Sequence, residues 1–480
     1  PYYVYEFFKK GIEDGNNYYS LSQTRSRSAA FFANATYSYK GRYTVNGTAR
    51  YEGTNRMGKS RSARWLPTWN VSGAWNAHEE KFFSNLTSVL SHFTLKASYS
   101  LTADRGPADV TNSQAIITSY SPYRPFTSIQ ESGLYIKELE NSELTYEKKH
   151  ELNIGADMGF LNNRINLAVD WYKRNNYDLI GIVNTQGAGG QILKYANIAS
   201  MKSHGIEFTL STKNIKTKDF NWNTDFIFSN AKNEVTDLKQ NANVMELISG
   251  NGFAKQGYPV RGLFSIPFVG LDKDGIPVII NEKGEATSTD INFQERQNTG
   301  FLKYEGPTDP TITGSLGNMF SYKGFRLNLF ITYSFGNVIR LNPVFKAYYS
   351  DLTAMTREFK NRWTLPGDEA KTNVPAILSK RMYDSNEDLK YAYNAYNYST
   401  ERIAKGDFIR LKEISLAYDF PKAWINPLKL TDLSLKVQAT NLFLIYADDK
   451  LNGQDPEFFN AGGVASPVPR QFTITLRLGL

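Results

Sequence analysis

Cysteine is absent from the 480 residues, which excludes disulfides and thiolate metal sites. Histidine is scarce. The four copies, His78, His92, His150 and His204, are scattered and show no H-E-x-x-H or similar spacing, so no metal centre is expected. Long hydrophobic runs are missing too. No stretch approaches the ~18 consecutive apolar residues of a spanning helix, and mean hydropathy is −0.45. Lysine and arginine exceed the acids by a net +8, but they are dispersed, without the clustered basic face of a nucleic-acid binder. An initiator methionine and a leader are also lacking. The chain opens at Pro1 in "PYYVYEFF" and reads as a fragment or processed chain, so absent targeting signals carry no weight.

What is present is glycine (35), tyrosine (30) and phenylalanine (30), arranged with a period of two. Tyr43, Val45, Gly47, Ala49 and Tyr51 alternate with Thr44, Asn46, Thr48, Arg50 and Glu52. Phe93, Leu95, Ala97, Tyr99 and Leu101 do the same, as do Leu152, Ile154, Ala156, Met158 and Phe160. The pattern returns at Ile165–Trp171, Ile206–Leu210, Trp222–Phe228, Leu327–Phe335, Ile414–Phe420, Leu433–Ala439 and Phe472–Leu480. Alternation of this kind marks strands with two unlike faces. Many runs reach about 9–11 residues, the length of a tilted membrane-spanning strand, whereas strands in soluble sandwiches average ~5–6.

The links between runs alternate as well. Short ones (Lys40-Gly41, 161–163, 214–219, Lys323-Gly324, with longer versions at 77–89 and 421–431) are interleaved with long ones at 53–66, 103–143, 181–197, 237–310, 337–405 and 446–469. Tight periplasmic turns and large extracellular loops predict this asymmetry in an up-and-down outer-membrane barrel. The expected fold class is therefore all-β, a transmembrane antiparallel up-and-down barrel wall of about fourteen strands. Such a protein should leave the envelope only with detergent. No helical stripe matches the strand signal; a short helix is expected only within 77–89.

One motif points elsewhere. Gly53, Gly58, Lys59 and Ser60 in "EGTNRMGKS" satisfy the phosphate-loop pattern G-x-x-x-x-G-K-[ST]. That motif needs a buried strand before it and a helix starting at the lysine. Here a two-faced strand leads in and "RSARWLPTWNVSGAW" follows, with Pro67 and renewed alternation. The expectation is a glycine-rich extracellular loop with no nucleotide. "LDKDG" (271–275) lacks the further ligands of a calcium loop and reads as a turn. Acidic pairs such as Glu79/Glu80 have no visible acid–base partner, and no G-x-S-x-G elbow occurs. No catalytic, cofactor or metal residues are assigned, and an enzyme is not expected.

Several segments resemble the SusC/RagA family of TonB-dependent outer-membrane importers of Bacteroidota. They are "SAAFFANATYSYKGRYTVNGTARYEGTNR" (28–56), "RWLPTWNVSGAW" (64–75), "NIASMKSHGIEFTLS" (197–211), "FNWNTDFIFSNAKNEVTDL" (220–238), "NRWTLPGDEA" (361–370), "DFIRLKEISLAYDFP" (407–421), "ATNLFLIYADDKLNGQDPE" (439–457) and "PVPRQFTITLRLGL" (467–480). They run in family order to the last residue. The resemblance implies that residues 1–480 are the C-terminal portion, roughly the last fourteen strands, of a 22-stranded barrel filled by a plug. The plug and TonB box would lie outside this chain. It implies TonB-dependent import of oligosaccharides or peptides, a SusD-like surface lipoprotein as lid, TonB contact through an N-terminal part, outer-membrane lipid around the wall, and neither cofactor nor nucleic acid. A passive channel and a soluble β-rich binding or adhesion protein are the alternatives.

On that reading Phe472, Ile474, Leu476, Leu478 and Leu480 form a lipid-facing closing strand. The chain ends in Leu480 where such barrels often end in Phe, so recognition by the insertion machinery would rest on the alternating strand. Trp65, Trp75, Trp171 and Tyr172 are girdle candidates. Arg50, Lys96, Asp157 and Arg477 would face plug or lumen. The aromatic loop "YAYNAYNYS" (391–399) would stack on sugars, meet the lid or pack on itself. Substrate-contacting residues are not assigned.

Overall fold

The computed structural model describes residues 2–13, 26–106, 115–120, 132–184, 193–344, 357–459 and 469–479. Thirteen strands form one antiparallel meander. The first four are β1 (Ser28–Tyr39), β2 (Tyr43–Thr54), β3 (Trp65–Asn76) and β4 (Leu90–Asp104). The middle of the sheet is β5 (Glu147–Phe160), β6 (Ile165–Asn184), β7 (Leu193–Lys216) and β8 (Phe220–Leu238). It continues through β9 (Ile312–Tyr322), β10 (Phe325–Phe335), β11 (Phe408–Asp419), β12 (Asp432–Ala447) and β13 (Gln471–Gly479). Each strand pairs with its sequence neighbours only, so β1 and β13 each pair on one side. Among the described residues the sheet holds thirteen strands, where alternation predicts about fourteen.

The turns on one end are built from residues that accept left-handed backbone. Lys323 and Gly324 (φ 45° and 91°) close a two-residue hairpin between Tyr322 and Phe325, the conformation that matches strand twist. Leu161, Asn162 and Asn163 all have φ between 51° and 57°. All the long links leave from the opposite end.

Register keeps one face apolar throughout. Tyr39, Tyr43, Trp75, Leu95, Ala156, Val169, Phe208 and Phe228 lie opposite one another in sequence from β1 to β8. From the same face of β8, Phe220, Tyr322, Phe325, Tyr418, Leu435 and Leu476 continue to β13. Opposite residues of a pair point to the same side, so every apolar set read from the sequence falls on this face. Its side chains are not covered: Phe472 is 72% exposed and Ile474 74%. Arg50, Lys96, Asp157 and Arg477 fall on the other face. No helix among the described residues is long and apolar enough to cross a membrane.

The dry core lies almost wholly outside the strand bodies, in the long links. Ala242, Val244, Leu247, Ile248, Phe264, Ile266, Ile279, Leu302 and Ala395 form its largest cluster. Leu378, Leu389, Ala392 and Tyr393 form another, and two more of similar size gather around Met57 and Ile339. The links expected as loops at 237–310 and 337–405 therefore fold together as a cap with its own short strands and helices. The capping box at Asn243 and Glu246 starts one of those helices, Val244–Ile248.

Sequence reading is corrected elsewhere too. Residues 391–399 are not a loop: a helix spans Leu389–Asn397, and Tyr393 and Tyr396 are buried in the cap. The link placed at 181–197 shrinks, because β6 runs to Asn184 and β7 begins at Leu193. Residues 103–143 contain a hairpin of Ile116–Tyr120 and Gly133–Glu138. A helix that alternation did not announce spans Tyr2–Glu13. Within 77–89 the expected helix is a pair of 3₁₀ turns, Ala77–Glu79 and Lys81–Asn85.

Arg340 joins the cap. Its guanidinium donates to the carbonyls of Ser399 (2.8 Å), Phe264 (2.6 Å) and Ile248 (3.3 Å), three segments far apart in sequence. Burial pushes its pKa down to about 9. An apolar replacement would strand three carbonyls that only a branched cation reaches at once. Arg340→Met is expected to destabilise the cap by about 3 kcal/mol or more. Hydrogen exchange should show faster opening at Leu247, Phe264 and Ile266 with unchanged protection at Leu329 in β10.

Candidate functional site

The polar face of the meander carries charged side chains, and many of them are paired. Glu52 takes both Arg50 and Arg105. Lys96 meets Asp157 at 2.6 Å. Glu151 accepts from Lys149 at 2.8 Å and from Arg174 at 3.1 Å, and the Arg174 guanidinium lies 4.0 Å over the Tyr172 ring. Arg326 meets Asp419 at 2.8 Å and Lys436 lies 3.8 Å from Glu413. Arg410 makes a buried two-oxygen contact with Asp455 at 2.6 and 2.7 Å. Some pairs lie two residues apart on one strand, as Arg50–Glu52 and Lys149–Glu151 do, and others bridge neighbouring strands or tie a strand to a link, because period two places the polar positions on one side.

This face is wet and close to electroneutral. It offers hydroxyls, amides and compensated charges, and no ring of one sign that would select an ion. Several cavities open along it, among them one of about 470 Å³ beside Asn46, Lys96 and Asp170. One of about 450 Å³ is lined by Arg50, Glu52, Trp69, Asp104, Arg105 and Tyr146. Another of about 660 Å³ is lined by Arg410, Asn441, Tyr446, Asp448, Asp455 and Arg470. Such surfaces suit hydrogen bonding to polar groups.

The phosphate-loop residues occupy a clasp. The amides of Gly58 and Lys59 donate to Leu144 O (2.8 Å) and Ser142 O (3.1 Å), and Arg64 Nε donates to Gly58 O (2.7 Å). A Cβ on Gly58 would lie 2.0 Å from Ser142 O, so only glycine permits the approach. Lys59 Nζ pairs with Glu140 at 2.7 Å. A helix does start at this point, contrary to the sequence expectation, but it spans only Arg61–Arg64, and Ser60 caps it by accepting from the Ala63 amide. Gly53 leaves room for the Trp65 indole, which stacks on Tyr51 at 5.0 Å. We read the segment as a loop fastening in which the Gly58 and Lys59 amides are used within the chain.

Other sequence candidates separate. Trp75 and Trp171 lie on the apolar face, but Tyr172 points to the polar face and is buried, so it is no girdle residue. The "LDKDG" segment is a turn: Asp272 Oδ1 accepts from the amides of Asp274 and Ile276 at 2.9 Å each, and Gly275 has φ 74°. Leu480 and residues 107–114, 121–131, 185–192, 345–356 and 460–468 lie outside the described residues. One juxtaposition escaped sequence reading. His78 and His92, fourteen residues apart, bring their rings to 4.2 Å; the 77–89 link folds back, which spacing does not reveal. No group of three or more histidine, aspartate or glutamate side chains suited to a metal occurs among the described residues.

Comparison with known proteins follows the same lines. Residues 2–442 match the family described as TonB dependent receptor-like, beta-barrel. The chain is 25% identical over 446 residues to the TonB-dependent receptor P3 of Formosa agariphila, covering 89% of this chain and 41% of that protein. It is 26% identical over 515 residues to the TonB-dependent receptor SusC of Bacteroides thetaiotaomicron, covering 99% and 47%. The fold matches that of the RagAB peptide transporter with a TM-score of 0.75 at 23% identity, over 96% of this chain and 49% of that one. The chain spans about half the length of the curated relatives it matches.

Two substitutions separate clasp from nucleotide site. Gly58→Ala should destabilise the 53–66 link by about 1–3 kcal/mol through overpacking, whereas Lys59→Ala, at a half-exposed pair, should cost under about 1 kcal/mol. Thermal unfolding reads both, and calorimetry with magnesium ATP should give no binding heat for the unaltered protein.

Proposed function

The chain belongs to the TonB-dependent receptor β-barrel family of the outer membrane, and from that premise we propose that it supplies part of the wall of an active importer for oligosaccharides or peptides. The observation that carries this is the register: one uncovered apolar face and one paired polar face across thirteen strands. Hydrocarbon accepts the first face, and the second lines an interior. Phe472, Ile474, Leu476 and Leu478 on β13 are on this reading lipid-facing.

The free edges of β1 and β13 carry unpaired backbone groups, which hydrocarbon does not tolerate. On this reading further strands satisfy them, and in a protein about twice this length the remainder would supply those strands and a plug. This favours a large gated barrel over a small passive channel closed by these strands alone. A compensated, hydroxyl-rich lining suits neutral glycans and zwitterionic peptides equally. The folded cap gives a rigid platform on the long-link side, where a SusD-like lipoprotein would sit as lid. TonB would act through the plug.

The experiment is uptake by the whole receptor in its host. Deleting the receptor should abolish growth on its glycan or peptide cargo, and deleting TonB should do the same. Growth that survives loss of TonB at undiminished rate would replace the importer by a passive channel. Release of the protein from envelopes by carbonate without detergent would remove the membrane reading altogether.

A further inference from the structure

Four of the six short-side links turn within a few residues, and two do not: 77–89 and 420–431. We propose that these two longer links are interfacial anchors that seat the short-turn rim of the wall against the phospholipids of the adjoining leaflet. The inference rests on the membrane placement of the wall and not on its cargo.

Both links share one construction. Each contains a short helical turn, Lys81–Asn85 in one and Lys422–Ile425 in the other. Each turn drives one apolar side chain inward, Phe83 and Ile425, both 2% exposed. Each presents an adjacent aromatic outward instead: Phe82 is 59% exposed and Trp424 63%. The buried residue fixes the turn, so the outward aromatic is held in place.

The direction of that aromatic is the decisive point. Phe82 lies against Trp75, ring centres 6.4 Å apart, and Trp75 belongs to the apolar face of β3. Trp424 lies against Phe420 at 6.4 Å, and Phe420 against Tyr418 at 4.9 Å, which belongs to the apolar face of β11. Both links thus prolong the hydrocarbon-facing surface beyond the last rung of the sheet, where headgroups begin. Aromatic rings are favoured at that depth. Between Phe420 and Thr431 the exposed charges are Lys422 and Lys429, with no acid, a composition suited to anionic headgroups. A periplasmic protein docked on the rim is the competing occupant.

Because the chain has no cysteine, single nitroxide labels can be placed by Phe82→Cys and Trp424→Cys in the whole receptor, with any cysteine elsewhere replaced by serine. Lys218→Cys, in the tight turn between β7 and β8, is the aqueous control. In phosphatidylethanolamine/phosphatidylglycerol vesicles the labels at 82 and 424 should collide with oxygen severalfold more, relative to a water-soluble nickel complex, than the label at 218. Labels as open to nickel as that at 218 would overturn the proposal. So would labels shielded from both reagents, which would mean a protein cover. Should the cysteine variants fail to insert, the unaltered receptor in brominated phospholipid serves instead. Trp424→Phe should then remove part of the lipid-quenched tryptophan emission, and an unchanged quenched amplitude would also overturn it. A wet rim would leave the uptake experiment untouched, so the two readings fail separately.

Discussion

Hydrocarbon supplies no hydrogen bonds, so every amide and carbonyl of a membrane-spanning segment must find its partner in the protein. In this chain the ladder between neighbouring strands does that, and the ladder in turn fixes which side chains share a face. A slip of one residue would turn the apolar set inward. The β10–β11 pair shows how closely the chain respects this. Lys412 and Glu413 are consecutive polar residues that break the alternation, and the pairing absorbs one of them: Phe330 lies opposite Glu413 while Ile331 lies opposite Leu411. Leu411 and Ile414 consequently stay on the same side.

A wall of this kind needs no core of its own, and it has almost none. Nearly all of the tightly packed, dry clusters lie at the long-link end. The division is physical. Strand bodies are stabilised by the solvent they sit in, with lipid outside and a polar interior within. The segments that emerge into water must bury their own apolar residues, as Val244, Leu247, Ile266 and Tyr393 do. Arg340, donating to three carbonyls, holds those segments in one body. Beside it, the strands carry ion pairs such as Lys96–Asp157 and Arg326–Asp419 on their polar face.

Much of the wall was legible because period two is a local property. The apolar sets beginning at Tyr43, Phe93 and Phe472 needed no tertiary information, nor did the short turns at Lys40-Gly41 and Lys323-Gly324. The cap was not legible. "YAYNAYNYS" looks like an exposed aromatic loop until its helix meets Ile276 and Met382. Tyr172 sits next to Trp171 in sequence, yet one residue decides between lipid and the Arg174 guanidinium. For the phosphate-loop match the sequence offers only local context, and what it does not show is that Gly58 is pressed against Ser142, a contact across more than eighty residues.

The sequence alone determined the two-faced strand, its length, and the alternation of short and long links, because these depend only on the spacing of apolar residues and on which residues tolerate left-handed backbone. Only the tertiary structure decided that thirteen strands share one register, that the long links condense into a core around Arg340, and that Phe82 and Trp424 extend the apolar face. Those outcomes depend on contacts between residues far apart in the chain, which no local pattern encodes.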